Sequence, residues 1–167
     1  MRSAFLLLMI TAMVAACATT EPPLPPEKAA LIPDGSNRLI LQSDWEVDTL
    51  FARVKRHLEY NEFYIDEEDQ LTKRVVTSAK EIGQRTQMSI TLRMSPIIDG
   101  SQMEALAQWH SDLEEADMAT VGRDISGQTT NWRIAAWDKT FRDSRTYAHL
   151  LLLFEQIEHR SIEHLTK

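Results

Sequence analysis

The sequence predicts an α+β two-layer sandwich: an antiparallel sheet of three to four strands covered by an N-terminal helix and a long C-terminal helix. Three observations carry that expectation. A serine-capped amphipathic stretch begins at Ser43, residues 88–95 alternate between apolar and polar, and apolar residues recur at helical spacing from Tyr147 to Leu165. Residues 43–167 form a single domain on this reading, as expected for a chain of 167 residues.

The N-terminal helix is placed at 44–60. Ser43-Asp44-Trp45-Glu46 has the form of a capping box, a Ser cap with Glu three positions on. Val47, Leu50, Phe51, Val54 and Leu58 then make one apolar stripe, with Arg53, Lys55, Arg56 and Glu59 largely between them. Phe63-Tyr64-Ile65 leads into Asp66-Glu67-Glu68-Asp69, read as a solvated turn because the oxygen spacing and central glycine of an EF-hand are missing. Val75-Val76-Thr77 reads as a strand by its β-branched residues.

In the next strand Met88, Ile90, Leu92 and Met94 face one way while Ser89, Thr91, Arg93 and Ser95 face the other. Residues 101–112 contain good helix formers, and Ser101-Gln102-Met103-Glu104 is a possible capping box. Against a helix stands Asp99-Gly100, a strong hairpin signal. A two-residue turn there pairs Met94 with Ala105, Leu92 with Ala107 and Ile90 with Trp109, all apolar on one face. A four-residue loop at 97–100 shifts the pairing by two and keeps both faces intact. Pro96 objects, because it lacks an N–H for the ladder. The hairpin is the reading adopted.

Residues 113–128 read as a loop or short helix, and Trp132 to Trp137 as a short edge strand. Tyr147, Leu150, Leu151, Phe154, Ile157, Ser161 or Ile162, and Leu165 place a long helix at about 144–165. Arg160, His164 and Lys167 lie where its dipole favours positive charge.

Ahead of the domain, Met1-Arg2-Ser3 precedes a short apolar run, Ala4 to Ile10, and then small residues. This is the layout of a secretory signal peptide, and the run is short for a membrane span. The stretch Val14-Ala15-Ala16-Cys17 resembles the lipobox of bacterial lipoproteins. That resemblance implies a signal peptide at 1–16, a diacylglyceryl group on the Cys17 sulfur and an acylated new amino terminus. It accounts for Cys17 being the one cysteine of the chain, and several chains on one residue make a lasting anchor. Ala18 after the cysteine implies release to the outer membrane, with the domain on its periplasmic face. Ala16-Cys17-Ala18 is also a small-x-small site, compatible with ordinary secretion.

Residues 17–42 then read as a tether. Five of the six prolines fall within it, favouring extended chain at about 3.1 Å per residue. Leu39-Ile40-Leu41 either continues the tether or packs on the domain edge. The element order of 44–165 loosely resembles the helix-grip domains of envelope lipoproteins, such as the C subunit of the outer-membrane β-barrel assembly machine. The long unstructured N-terminal region of that family has no convincing counterpart here.

The formal charge is −7, without a Lys/Arg block, which leaves no footprint for nucleic acid and no polybasic patch for anionic lipid. Five glycines and no nucleotide-binding or nucleophile-elbow pattern point away from an enzyme. No cofactor or metal is expected. Glu155, His159 and Glu163 share a helix face on this reading, as mutual charge support rather than as ligands. His57 and His149 fall on outer or boundary faces of their helices. Alternation through 132–137 sends Trp132, Ile134 and Ala136 one way and Arg133, Ala135 and Trp137 the other, so one tryptophan leaves the core. It either caps the core edge or belongs to an interaction surface. Two functions are expected from this: a lipid-anchored, non-catalytic scaffold binding a larger envelope assembly, with Trp132, Arg133 and Trp137 at the contact, or a carrier of a small apolar ligand between the last helix and the sheet. The run Leu150 to Phe154 motivates the second.

Overall fold

The computed structural model describes residues 24–83, 85–111, 132–138 and 141–166. In chain order the strands are β1 (Arg38–Ser43), β2 (Ile65–Asp69), β3 (Arg74–Thr77), β4 (Lys80–Glu81), β5 (Thr86–Ile97), β6 (Gly100–Ser111), β7 (Arg133–Ile134) and β8 (Ser161–Leu165). The helices are α1 (Pro26–Ala29), α2 (Val47–Tyr60) and α3 (Phe141–Phe154).

The β5–β6 hairpin is the centre of the sheet, twelve residues on each side. Met88, Ile90, Leu92 and Met94 lie opposite Trp109, Ala107, Ala105 and Met103, all buried on one face. This is the register offset by two from an Asp99-Gly100 turn, the pairing that a 97–100 loop gives. It closes one step further, with Ile97 opposite Gly100. Gly100 alone at this turn has positive φ, +129°. The register also answers the objection from Pro96. Met94 N–H donates to the Lys73 carbonyl at 3.0 Å, so by period two the Pro96 nitrogen faces the same side, past the end of β3.

Around the hairpin the strand order is β2-β3-β5-β6-β1-β8, with β4 beside β5 and β7 beside β6; every pairing is antiparallel. Among the described residues the architecture is thus an eight-stranded antiparallel sheet with three short helices. It is not the two-layer sandwich of three to four strands with a long C-terminal helix that the sequence predicts.

Three corrections account for the difference. The last helix ends at Phe154, and the chain turns back to lay β8 against β1 over five residue pairs. Spacing through Ile157, Ile162 and Leu165 suits a helix, but β1 would otherwise leave one side of its backbone unpaired in the sheet. The Arg160 N–H to Gln42 carbonyl (2.7 Å) and Asn37 N–H to Leu165 carbonyl (2.9 Å) bonds close the ends of that pairing.

The second concerns residues 24–42, read as tether with packing of Leu39-Ile40-Leu41 on the domain edge as the open alternative, and the alternative is what the structure shows. Leu39 and Leu41 are fully buried in β1, which lies between β6 and β8. Leu24 and Ile32 join the same core, and Lys28 pairs with Glu155 at 2.8 Å. Enough apolar side chains lie among the prolines to fold this stretch onto the domain.

Third, the acidic run is an edge strand, not a turn. In β2, Lys55 meets Glu68 at 2.5 Å and Arg74 meets Glu67 at 2.8 Å. Charge and a bulge between Ile65 and Glu67 are the usual defence of an edge against further pairing.

The predicted apolar stripe of α2 is buried through Leu50, Phe51, Val54 and Leu58. Its start differs: Ser43 ends β1, its Oγ accepts the Trp45 N–H at 3.3 Å, and the helix begins at Val47 without a side-chain cap. In α3, Tyr147, Leu150, Leu151, Leu153 and Phe154 are buried in the same core cluster. Both helices therefore cover one face of the sheet. Residues 1–16, Cys17 and the 113–128 stretch lie outside the described residues.

Candidate functional site

The face of the sheet turned away from this core follows from the register. It carries Arg38, Ile40 and Gln42 of β1, Thr91 and Arg93 of β5, Glu104 to His110 at even positions of β6, and Glu163 and Leu165 of β8. None of the described helices packs on it, because their buried side chains belong to the core cluster on the other side.

Arg38 forms an ion pair with Glu104, which lies directly opposite Arg93. Thr91 and Leu106 sit one pair further along, and with these charged residues they line a shallow hollow of about 160 Å³. At one end the His110 and Trp132 rings meet in a T-shaped contact with centroids 4.9 Å apart, and His110 Nε2 is 3.1 Å from Gln87 Oε1. Ile134, opposite Gln108, remains 49 % exposed, and Leu165 on β8 43 %. Ile40 lies between Glu104 and Glu163 on this face and is only 9 % exposed.

Trp132, Arg133 and Trp137 do not share one surface. Trp132 is at the rim of the open face. Arg133 lies opposite Trp109, its guanidinium 5.8 Å from that buried ring, whose Nε1 donates to Asp143 Oδ1 at 2.7 Å. Trp137 is partly buried against the core, tilted on Tyr147 at 6.3 Å. Its N–H donates to the Ser36 carbonyl and its carbonyl accepts the Gly35 N–H, both at 2.6 Å. Sequence reasoning missed the Arg38–Glu104–Arg93 group. The signal for it is cross-strand register, which the strand pattern of residues 88–110 contains but which needs β1 as well.

Titratable groups with displaced pKa values are structural. Tyr147 Oη donates to the Arg38 carbonyl at 3.1 Å and lies 2.9 Å from His164 Nδ1. Burial pushes the phenol far above its ordinary range and holds His164 below the usual imidazole value, the latter partly opposed by Glu155. His149, beside Phe63, is lowered by burial and then by Lys80. Asp69 is lowered by hydrogen bonds from Thr72 and Leu71 that hold the β2–β3 turn. Glu68, on the β2 edge, is lowered first by its hydrogen bond from Lys55. For the other groups burial and local hydrogen bonding are the leading causes, which is the pattern of packing.

Glu155, His159 and Glu163 do not share a helix face: Glu155 follows α3, His159 Nδ1 contacts the Ile157 carbonyl, and Glu163 is in β8. Among the described residues no group of three His, Cys, Asp or Glu is disposed to hold a metal ion, and no helix is long and apolar enough to cross a membrane. In the run Leu150 to Phe154, the basis of the carrier expectation, Leu150, Leu151, Leu153 and Phe154 are at most 5 % exposed within the core and Leu152 is partly buried against it. No family model and no curated protein matches the chain.

Proposed function

We propose that this chain is a lipid-anchored, non-catalytic accessory protein of the bacterial cell envelope, held through Cys17 and binding a larger envelope assembly by the open face of its sheet. One observation carries the reading. A face running from β3 to β8 carries no described helix, and its rim exposes Ile134 and Leu165, with Trp132 half-buried beside them, around a polar field. Apolar anchors beside satisfied polar groups are the ordinary make-up of a protein-binding patch. The lipobox supports attachment by acyl chains, and Ala18 supports the periplasmic face of the outer membrane. The acidic balance favours a protein partner over nucleic acid.

The test is in-cell cross-linking of the C-terminally tagged full chain, followed by solubilisation and identification of what co-purifies. A near-stoichiometric envelope protein is expected, lost from a Trp132→Glu/Ile134→Glu variant whose thermal stability stays within about 1 kcal/mol of wild type. Recovery of the wild-type chain alone, or undiminished co-purification from the folded variant, overturns the assignment.

A further inference from the structure

On the helix side of the sheet, where α2 meets the segment after α3, lies an open cleft of about 540 Å³. Trp45, Arg53, Arg56, His57, Ile157 and Glu158 line it. Its two arginines differ from most cations of the described surface. Lys28, Arg38, Lys55, Lys73, Arg74, Lys80 and Arg160 each meet a carboxylate. Arg53, Arg56, Arg85 and Arg93 form no ion pair among the described residues, although acidic residues outnumber basic ones 25 to 18, and of these Arg53 and Arg56, one helical turn apart, line one cleft together.

The side chains are also held in place. The Arg53 Cζ lies 3.9 Å over the Trp45 ring, a cation–π contact that restrains the side chain without using its N–H donors in an ion pair. Arg56 Nε reaches the Ala52 carbonyl only at 3.4 Å, which leaves its terminal nitrogens available. His57 is anchored by Nε2 to the Leu153 carbonyl at 2.7 Å. Ile157, 6 % exposed, supplies an apolar patch in the lining.

We propose that this cleft binds a phosphate group carried on a small organic molecule, with the phosphate between Arg53 and Arg56 and the organic part against Trp45 and Ile157. Two guanidinium forks on adjacent turns match the charge and the several acceptor oxygens of a phosphate ester better than they match a single carboxylate. Glu158 in the same lining selects against polyanions, so the ligand is one phosphate with a neutral or cationic remainder. The same chemistry is found in a soluble phosphate ester and in a phospholipid headgroup.

Calorimetric titration of the full chain at low ionic strength distinguishes these sources, using glycerol 3-phosphate and, below its micelle concentration, dihexanoyl phosphatidic acid. At least one probe is expected to bind with a Kd below about 1 mM, more weakly as salt is raised. Equal affinities identify the phosphate alone as the determinant; preference for the acylated probe identifies a lipid headgroup whose chains use Trp45 and Ile157. Arg53→Gln/Arg56→Gln should weaken binding about tenfold or more, and Arg56→Gln alone, which keeps the Trp45 stack, several-fold. Glu158→Gln should tighten it about twofold. Arg93→Gln, on the opposite face of the sheet, should leave it unchanged. Absence of binding by both probes, or unaltered affinity in a double variant with wild-type thermal stability, overturns the proposal.

Discussion

Gly100 sits where the β5–β6 turn passes over the end of β1. A Cβ on it would lie 2.1 Å from the Ser43 carbonyl oxygen and 3.0 Å from the Asp44 Cα, and its φ is +129°. Both obstacles are backbone, so relief requires the hairpin and β1 to separate. Gly100→Ala is expected to cost about 3 kcal/mol, lowering Tm by roughly 10 °C. Gly83, at φ +107° with nothing within 4 Å of a Cβ, isolates the conformational part, and Gly83→Ala should cost about 1 kcal/mol. Equal losses in urea unfolding would refute the close approach. His149 makes a second residue-scale prediction. Its imidazole pKa is lowered by burial, so the unfolded chain takes up a proton that the native state refuses. Stability is therefore unaffected above the unfolded value of about 6.5 and falls as pH drops below it. Between pH 7.5 and 5.5, above the unfolded carboxylate range, Tm should decline. His149→Gln should flatten that decline, leaving the part due to His164, and an unchanged slope in the variant would count against the assignment.

At the scale of elements, Tyr147 is the link between α3 and the β1–β8 edge, because one buried hydroxyl reaches both the Arg38 carbonyl and His164 Nδ1. Tyr147→Phe leaves those groups without it and is expected to cost about 1–3 kcal/mol. Amide exchange in β8 should accelerate more than exchange in the β5–β6 hairpin; uniform acceleration would show that Tyr147 merely fills the core. The same edge marks what the sequence reveals. Alternation makes β5 and β6 legible because their two faces differ in polarity, and one stripe makes α2 legible. β8 is illegible because Ile157, Ile162 and Leu165 satisfy helical spacing, and the choice is made by β1, more than a hundred residues away. β1 is hidden among prolines, and consecutive Leu39, Ile40 and Leu41 show no alternation because all three are shielded in a strand paired on both sides. β2 is hidden by its carboxylates, which read as a turn and serve instead as edge protection. For the open face, composition picks out Trp132, whereas the Arg38–Glu104–Arg93 group exists only once three strands are in register.

At the scale of the whole molecule, the proposed anchor and the proposed binding face would make separable contributions to one activity. If Cys17 carries the acyl chains, each buried CH₂ adds about 0.8 kcal/mol of membrane affinity, and the domain is concentrated beside any partner in the same membrane. Cys17→Ser should then abolish palmitate incorporation and move the protein from the membrane pellet to the soluble fraction. Its partner cross-link should weaken through lost effective concentration, with the face intact. Trp132→Glu/Ile134→Glu should behave in the opposite way, remaining acylated and membrane-bound while losing the cross-link. Combining the two sets should remove both. Ordinary secretion with cleavage after Ala18 predicts a different pattern, since wild type would be soluble and unlabelled and Cys17→Ser would alter neither fractionation nor cross-linking. Fractionation and labelling of these three variants beside wild type therefore separate how the domain is held from what it holds.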